Sequence, residues 1–279
     1  MTKKLLTLLL LLCVTSALHA ANYLTFTAEA DSSSFGIINK GSNNPNVQYS
    51  LDKGKLWMTL DTNTVVTLAK KGDMALLKGN NPSGFSHGRH IYTSFTMTGS
   101  IAASGSVMSL IDNKGDSKVI PCKWCFNRLF AECTSLVKAP SLYCTNINNR
   151  CYKRMFKGCT SLEQAPELPA TELYADCYTE MFDSCISLKE APELPATEFS
   201  EYCYTRMFKD CINLCSIKVC FDSWYRYHQT MLDCFNPSST DGWLSNVAPT
   251  GTFICPESLI ELFEEDKIPI GWRMMHTEE

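Results

Sequence analysis

The sequence predicts an α/β solenoid of helix-plus-strand repeats, preceded by a small all-β domain, and three observations predict it. Cysteine recurs every 26 residues, at Cys125, Cys151, Cys177 and Cys203. Inside each period the apolar residues fall at helical spacing. Ahead of the array, short runs alternate apolar and polar residues between turn signals.

The chain opens with Lys3 and Lys4, an apolar run over residues 5–14 and a small Ala20. This is the layout of a secretory signal peptide over residues 1–20, cleaved before Ala21. The run is short for a bilayer span, and Cys13 follows Leu12 rather than the small residue that lipid attachment needs. The expectation is an exported protein, secreted or associated with the cell surface or outer membrane, with no transmembrane segment after signal removal. A formal net charge of −4, more negative once Lys3 and Lys4 leave, argues against nucleic acid as a partner, because phosphate backbones require a basic surface.

Residues 22–81 alternate in strand fashion around Tyr23, Tyr49, Trp57 and Val66, with turn signals at Gly41, Gly54 and Gly72. They predict a small antiparallel β domain. Residues 82–124 read as a linker and a degenerate N-terminal cap repeat, in which Leu110 lies one period before Leu136.

Four copies of the repeat occupy residues 125–228. After the first cysteine come Phe126, Tyr152, Tyr178 and Tyr204, then Leu129, Met155, Met181 and Met207, then Phe130, Phe156, Phe182 and Phe208. The ninth column is Cys133, Cys159, Cys185 and Cys211, and the twelfth Leu136, Leu162, Leu188 and Leu214. The phenylalanine, ninth-position cysteine and leucine columns are the expected structural core. Apolar residues at i, i+1, i+4, i+5 and i+8 form one stripe of a helix, with Thr171 and Thr197 able to cap it. The proline-broken stretch from Leu162 to Leu168 predicts a short strand. A unit of this kind buries its stripe only by stacking on its neighbours. The fourth copy replaces Ala-Pro by Ile217 and Lys218, which suggests a terminal repeat, and residues 229–279 are expected to form a C-terminal capping segment.

The phrase Cys-Tyr-x-x-Met-Phe-x-x-Cys-x-Ser-Leu-x-x-Ala-Pro-Glu-Leu-Pro-Ala-Thr, carried by residues 151–171 and 177–197, resembles the BspA-like leucine-rich-repeat proteins of bacterial cell surfaces. That resemblance implies leucine-rich-repeat-like units and an adhesion-type role toward host proteins or other cells. It transfers no binding residues.

Candidate chemistry is sparse. Cys122 and Cys125 form a C-x-x-C pair, the spacing of thiol oxidoreductases, but outside the context that normally supports redox work. A structural zinc site among Cys211, Cys215, Cys220, Cys234 and His228 lacks a finger spacing. No metal or cofactor is expected. The first and ninth cysteines of one copy would stand about 12 Å apart along a helix, beyond the roughly 7 Å limit for a disulfide. Stacked, mostly reduced cysteine columns are therefore expected, with disulfides open among the irregular Cys122, Cys144, Cys215, Cys220, Cys234 and Cys255, and His87, His90, His228 and His276 all lie outside the regular columns.

No nucleophile, base and orienting group form a recognisable set, so catalysis is not expected. The positions that vary between copies on the strand side are the ligand-surface candidates: Val137, Glu163 and Lys189; Lys138, Gln164 and Glu190; Ser141, Glu167 and Glu193. The sequence predicts a secreted or cell-surface module that binds proteins or glycans outside the cell. The alternatives are a thiol oxidoreductase using Cys122 and Cys125, a hydrolase within the N-terminal domain, or a purely structural envelope component.

Overall fold

A computed structural model describes residues 22–198, 200–224, 239–261 and 267–276. The signal peptide with Cys13, together with His228, Cys234 and residues 262–266 of the C-terminal segment, lies outside the described residues.

Alternating burial builds the N-terminal unit. In β1 (Leu24–Ala28), Leu24, Phe26 and Ala28 face inward, and in β2 (Ser33–Lys40), Phe35 and Ile37 do. The remaining strands are β3 (Gln48–Ser50), β4 (Met58–Thr59), β5 (Val66–Leu68), β6 (Met74–Lys78), β7 (Tyr92–Thr98) and β8 (Ile101–Ser104). One sheet runs β4-β3-β6-β1-β8 and continues into β9 (Leu136–Lys138) of the first repeat copy; the other is β5-β2-β7. Every pairing is antiparallel except that of β8 with β9. The two sheets meet through Phe26, whose ring lies edge-on to Phe35 and Phe95 at 5.0 Å. Residues 82–124 thus carry β7, β8 and the one-turn helix α1 (Ser109–Asp112).

The expected α/β solenoid of helix-plus-strand repeats does not form. Among the described residues the only α-helices are α1 and α2 (Glu257–Ile260), of four residues each, and the molecule is mostly sheet and turn. In copy two, the N–H groups of Tyr152, Arg154, Phe156 and Gly158 donate to the carbonyls of Cys177, Thr179, Met181 and Asp183 in copy three, at 2.8–3.1 Å. The alternate residues Cys151, Lys153, Met155, Lys157 and Cys159 donate instead to the carbonyl three residues before. An α-helix would send every N–H four residues back. Here the stretch is a ribbon of successive β-turns, half of whose donors lace one copy to the next.

The conformational key is a left-handed residue at every fourth position. Trp124, Arg128 and Glu132, then Arg150, Arg154 and Gly158, then Asp176, Glu180 and Ser184, then Tyr202, Arg206 and Asp210 all have φ between 51° and 75°. The backbone period is therefore four, which matches the two-in, two-out pattern Cys-Tyr-x-x-Met-Phe-x-x-Cys better than 3.6 does. Across nine residues the two periods diverge by only about 80°, within the width of one apolar stripe. That narrow divergence is why helical spacing misidentified the element.

The inward columns stack along the array. Phe130, Phe156, Phe182 and Phe208 lie parallel at 5.5–5.6 Å with interplanar angles of 3–6°. Tyr152, Tyr178 and Tyr204 follow at 6.0–6.1 Å. Cys133, Cys159, Cys185 and Cys211 are buried, and each thiol donates to a phenylalanine carbonyl at 3.0–3.2 Å: those of Phe95, Phe130, Phe156 and Phe182. Leu136, Leu162, Leu188 and Leu214 are fully buried beside them.

Both ends of the stack are closed by other parts of the chain. At the start, Ser86 and Phe95 N–H groups donate to the carbonyls of Cys125 and Leu129, and Phe95 stacks on Phe130 at 5.4 Å. At the far end, Tyr204, Arg206, Phe208 and Asp210 donate to Ser239, Asp241, Trp243 and Ser245, a fifth coil with left-handed Gly242 and Asn246. On the opposite side of each copy the expected strand survives among the described residues as β9 and as β10 (Ser216–Lys218), with isolated bridges between. β10 pairs in parallel with β11 (Gly251–Cys255), which pairs with β12 (Trp272–His276).

Candidate functional site

The strand-side residues form two grooves. Parallel bridges pair Lys138 with Gln164 and Glu190 with Ser216, so residues 26 apart share a column. Glu163, Gln164, Lys189 and Glu190, joined by Ser187 and Asn213, line a polar groove of about 540 Å³. Glu167 and Glu193 rim a second, about 360 Å³, whose walls are Pro166, Pro169, Pro192 and Pro195 with Ala165 and Leu168. Prolines wall it because each removes a ladder donor and holds the chain extended there. Glu193 is tied to Lys218 at 2.9 Å, and that hydrogen bond holds its carboxyl below the usual carboxylate range. Val137, Lys138 and Ser141 line neither groove: Lys138 is exposed, the other two are half-buried, and Ser141 bridges Ser106.

The turn side, which sequence reasoning left out, carries the strongest electrostatics. Its left-handed positions form a grid whose first column is Trp124, Arg150, Asp176 and Tyr202, and whose second is Arg128, Arg154, Glu180 and Arg206. The ribbon of residues 150–158 projects Arg150, Lys153, Arg154 and Lys157 onto Asp176, Glu180 and Asp183 of the next coil. Arg150 reaches Asp176 at 2.9 Å, and Arg154 grips Glu180 through Nε at 3.0 Å and Nη2 at 2.6 Å. Lys157 bridges Glu180 and Asp183 at 2.6 and 2.5 Å. Burial alone would raise the Glu180 carboxyl, but Arg154 and Lys157 more than offset that and hold it at about 2. The available sequence signal was three bases each standing one period before an acid: Arg150 before Asp176, Arg154 before Glu180 and Lys157 before Asp183.

The thiols divide sharply. The 13 described cysteines are all free, and ten of them are buried. Burial pushes Cys151 and Cys211 up to about 12, and Cys144 to about 11. Such thiols lack the thiolate needed for attack. Of the three that are not buried, Cys122, Cys215 and Cys220, Cys122 has its thiol lowered by a hydrogen bond from Cys125, whose own thiol burial pushes well up. Among the described residues no three His, Cys, Asp or Glu side chains converge on a metal position. Among the same residues no helix is long and apolar enough to cross a membrane.

No protein-family model, no curated protein and no solved structure matches the chain.

Proposed function

We propose that the protein is a binding module that acts outside the cell, secreted or displayed on the surface, and recognises proteins or glycans through its strand-side grooves without catalysis. One observation carries this: equivalent positions of successive copies present exposed side chains that differ, Glu163 against Lys189 and Gln164 against Glu190, along the groove of about 540 Å³. A fixed frame with variable contacts is how stacked repeats build recognition surfaces. The resemblance of residues 151–197 to bacterial surface proteins and the signal-like first twenty residues support the same reading.

The test is retention of extracellular matrix proteins and arrayed glycans by the immobilised protein and by a Glu163→Lys, Glu167→Lys, Glu193→Lys variant. Specific retention that the variant loses at least tenfold, with an unchanged circular dichroism spectrum, supports the proposal. No retained ligand, or retention indifferent to the three changes, sinks it. The lowered Cys122 thiol beside Cys125 favours a second reading, thiol–disulfide exchange. Insulin-reduction activity that vanishes in Cys122→Ser would establish that reading instead.

A further inference from the structure

The turn side holds a pocket of about 370 Å³ at the junction of the β domain and the first two copies, lined by Arg89, Trp124, Arg128, Arg150, Lys153 and Arg154, with Asn127 and Asp176. Five of its eight lining residues are basic and one is acidic, in a chain whose formal net charge is −4. We infer that this pocket binds a sulfate or phosphate monoester carried on a small organic body of sugar size. The site is separate from the strand-side grooves and does not depend on their reading.

The bases are held in place rather than swept through solvent. Trp124, Arg128, Arg150 and Arg154 occupy four adjacent left-handed positions of the grid, which fixes where each side chain leaves the backbone. The Arg128 guanidinium lies over the Tyr92 ring at 5.4 Å, and two cations of the next coil lie against Trp124: the Arg150 guanidinium at 5.2 Å and the Lys153 ammonium at 5.9 Å. Arg89 comes from the loop before β7, which is pinned to the first coil where Asn127 donates to the Gly88 carbonyl at 3.1 Å and Ser86 N–H to the Cys125 carbonyl. Among the described residues neither Arg89 nor Arg128 has a carboxylate partner.

The charge balance leaves an excess at the pocket mouth. Asp176 neutralises one of the pair Arg150 and Lys153, and Glu180 occupies only the Nε and Nη2 edge of Arg154. Arg89, Arg128 and the Nη1 edge of Arg154 are left to an incoming oxyanion. Guanidinium forks match the oxygen spacing of sulfate and phosphate and bind them bidentately. A cleft of one sign also focuses its field and raises the local concentration of anions. The Trp124 wall and a volume within the range of small-molecule sites make room for an organic body beyond the ion.

Isothermal titration calorimetry on the full chain tests this with N-acetylglucosamine 6-sulfate, glucose 6-phosphate, inorganic sulfate, inorganic phosphate and neutral N-acetylglucosamine. Either ester should bind at least tenfold more tightly than the neutral sugar and than its own inorganic ion, and preference between the two esters identifies the source of the oxyanion. Arg89→Ala and Arg128→Ala should each weaken the preferred ester at least tenfold, while the remote Lys71→Ala leaves it unchanged. Arg89 is exposed on a loop, so its removal leaves the core intact. The neutral sugar binding as well as the esters, the bare ion binding as well as its ester, affinity indifferent to Arg89 and Arg128, or no ester binding at 10 mM would each overturn the inference.

Discussion

The turn ribbons of residues 150–159 and 176–185 present the same side chains to the core and opposite charges to each other on the turn side. Inside, Cys151, Tyr152, Met155, Phe156 and Cys159 are matched by Cys177, Tyr178, Met181, Phe182 and Cys185, all buried. Outside, Arg150, Lys153, Arg154 and Lys157 meet Asp176, Glu180 and Asp183. The contrast separates two jobs that one 26-residue unit performs. The inward columns and the backbone ladder set the geometry of every coil alike, and the left-handed positions leave side chains free to differ in sign. Charge then decides which coil sits comfortably next to which.

If the inward columns are equivalent, Phe156→Ala and Phe182→Ala should lower stability equally, by about 4 kcal/mol each. Chemical denaturation of the two variants checks this, and unequal losses would break the equivalence. On the outer side, Glu180→Gln strips Arg154 and Lys157 of a shared carboxylate and should cost about 2 kcal/mol. The same substitution at exposed Glu163 should stay within about 0.5 kcal/mol.

The Glu180 contribution carries a pH signature. A carboxyl depressed to about 2 in the folded protein stabilises it above the ordinary carboxylate range, and this contribution is lost as pH falls toward 2. Glu180→Gln should therefore flatten the acid limb of an unfolding curve measured between pH 5 and pH 2.

A smaller effect separates Tyr152 from Tyr178 in the stacked tyrosine column. The Tyr152 hydroxyl is the buried side-chain polar atom without a hydrogen-bond partner among the described residues, and copy one carries Phe126 in the same column. Tyr152→Phe should raise stability by about 1 kcal/mol, whereas Tyr178→Phe should gain less. Melting temperatures of the pair read the difference.

The thiols give the gentlest test. At pH 8 a disulfide reagent should label exposed Cys215 fast and leave Cys151 and Cys211 unlabelled until denaturant is added. Their raised values mean that the stability they lend is complete below about pH 9 and is lost as pH climbs toward 12. Rapid labelling of all 13 described cysteines in the native state would contradict the buried columns.

Much of the array was legible because identity repeats at fixed spacing. Phe130 through Phe208 and Leu136 through Leu214 announce a shared inward position whatever the backbone does. The backbone itself was hidden, since arginine, tryptophan and glutamate give no sign that they adopt left-handed φ. Only Gly158, Gly242 and the Asp, Asn and Ser members of the grid carry that hint. The fifth coil was invisible for a different reason: Thr240, Trp243 and Leu244 stand 36 residues on from Tyr204, Met207 and Phe208, with none of the column identities. Arg89 could not be placed beside Arg128 without knowing that β7 closes the stack.

The ladder of bonds from each coil to the next also makes copy number a unit of change. Excising residues 151–176 would let the Phe126 and Phe130 N–H groups meet Cys177 and Met181, restoring the same bonds, and would bring Arg128 opposite Glu180. Excising residues 177–202 would restore the bonds equally well, yet would set Arg154 against Arg206. Backbone geometry tolerates either shortened array, and charge alone tells them apart, so a lineage that gains or loses whole copies is constrained by which neighbours each new junction creates.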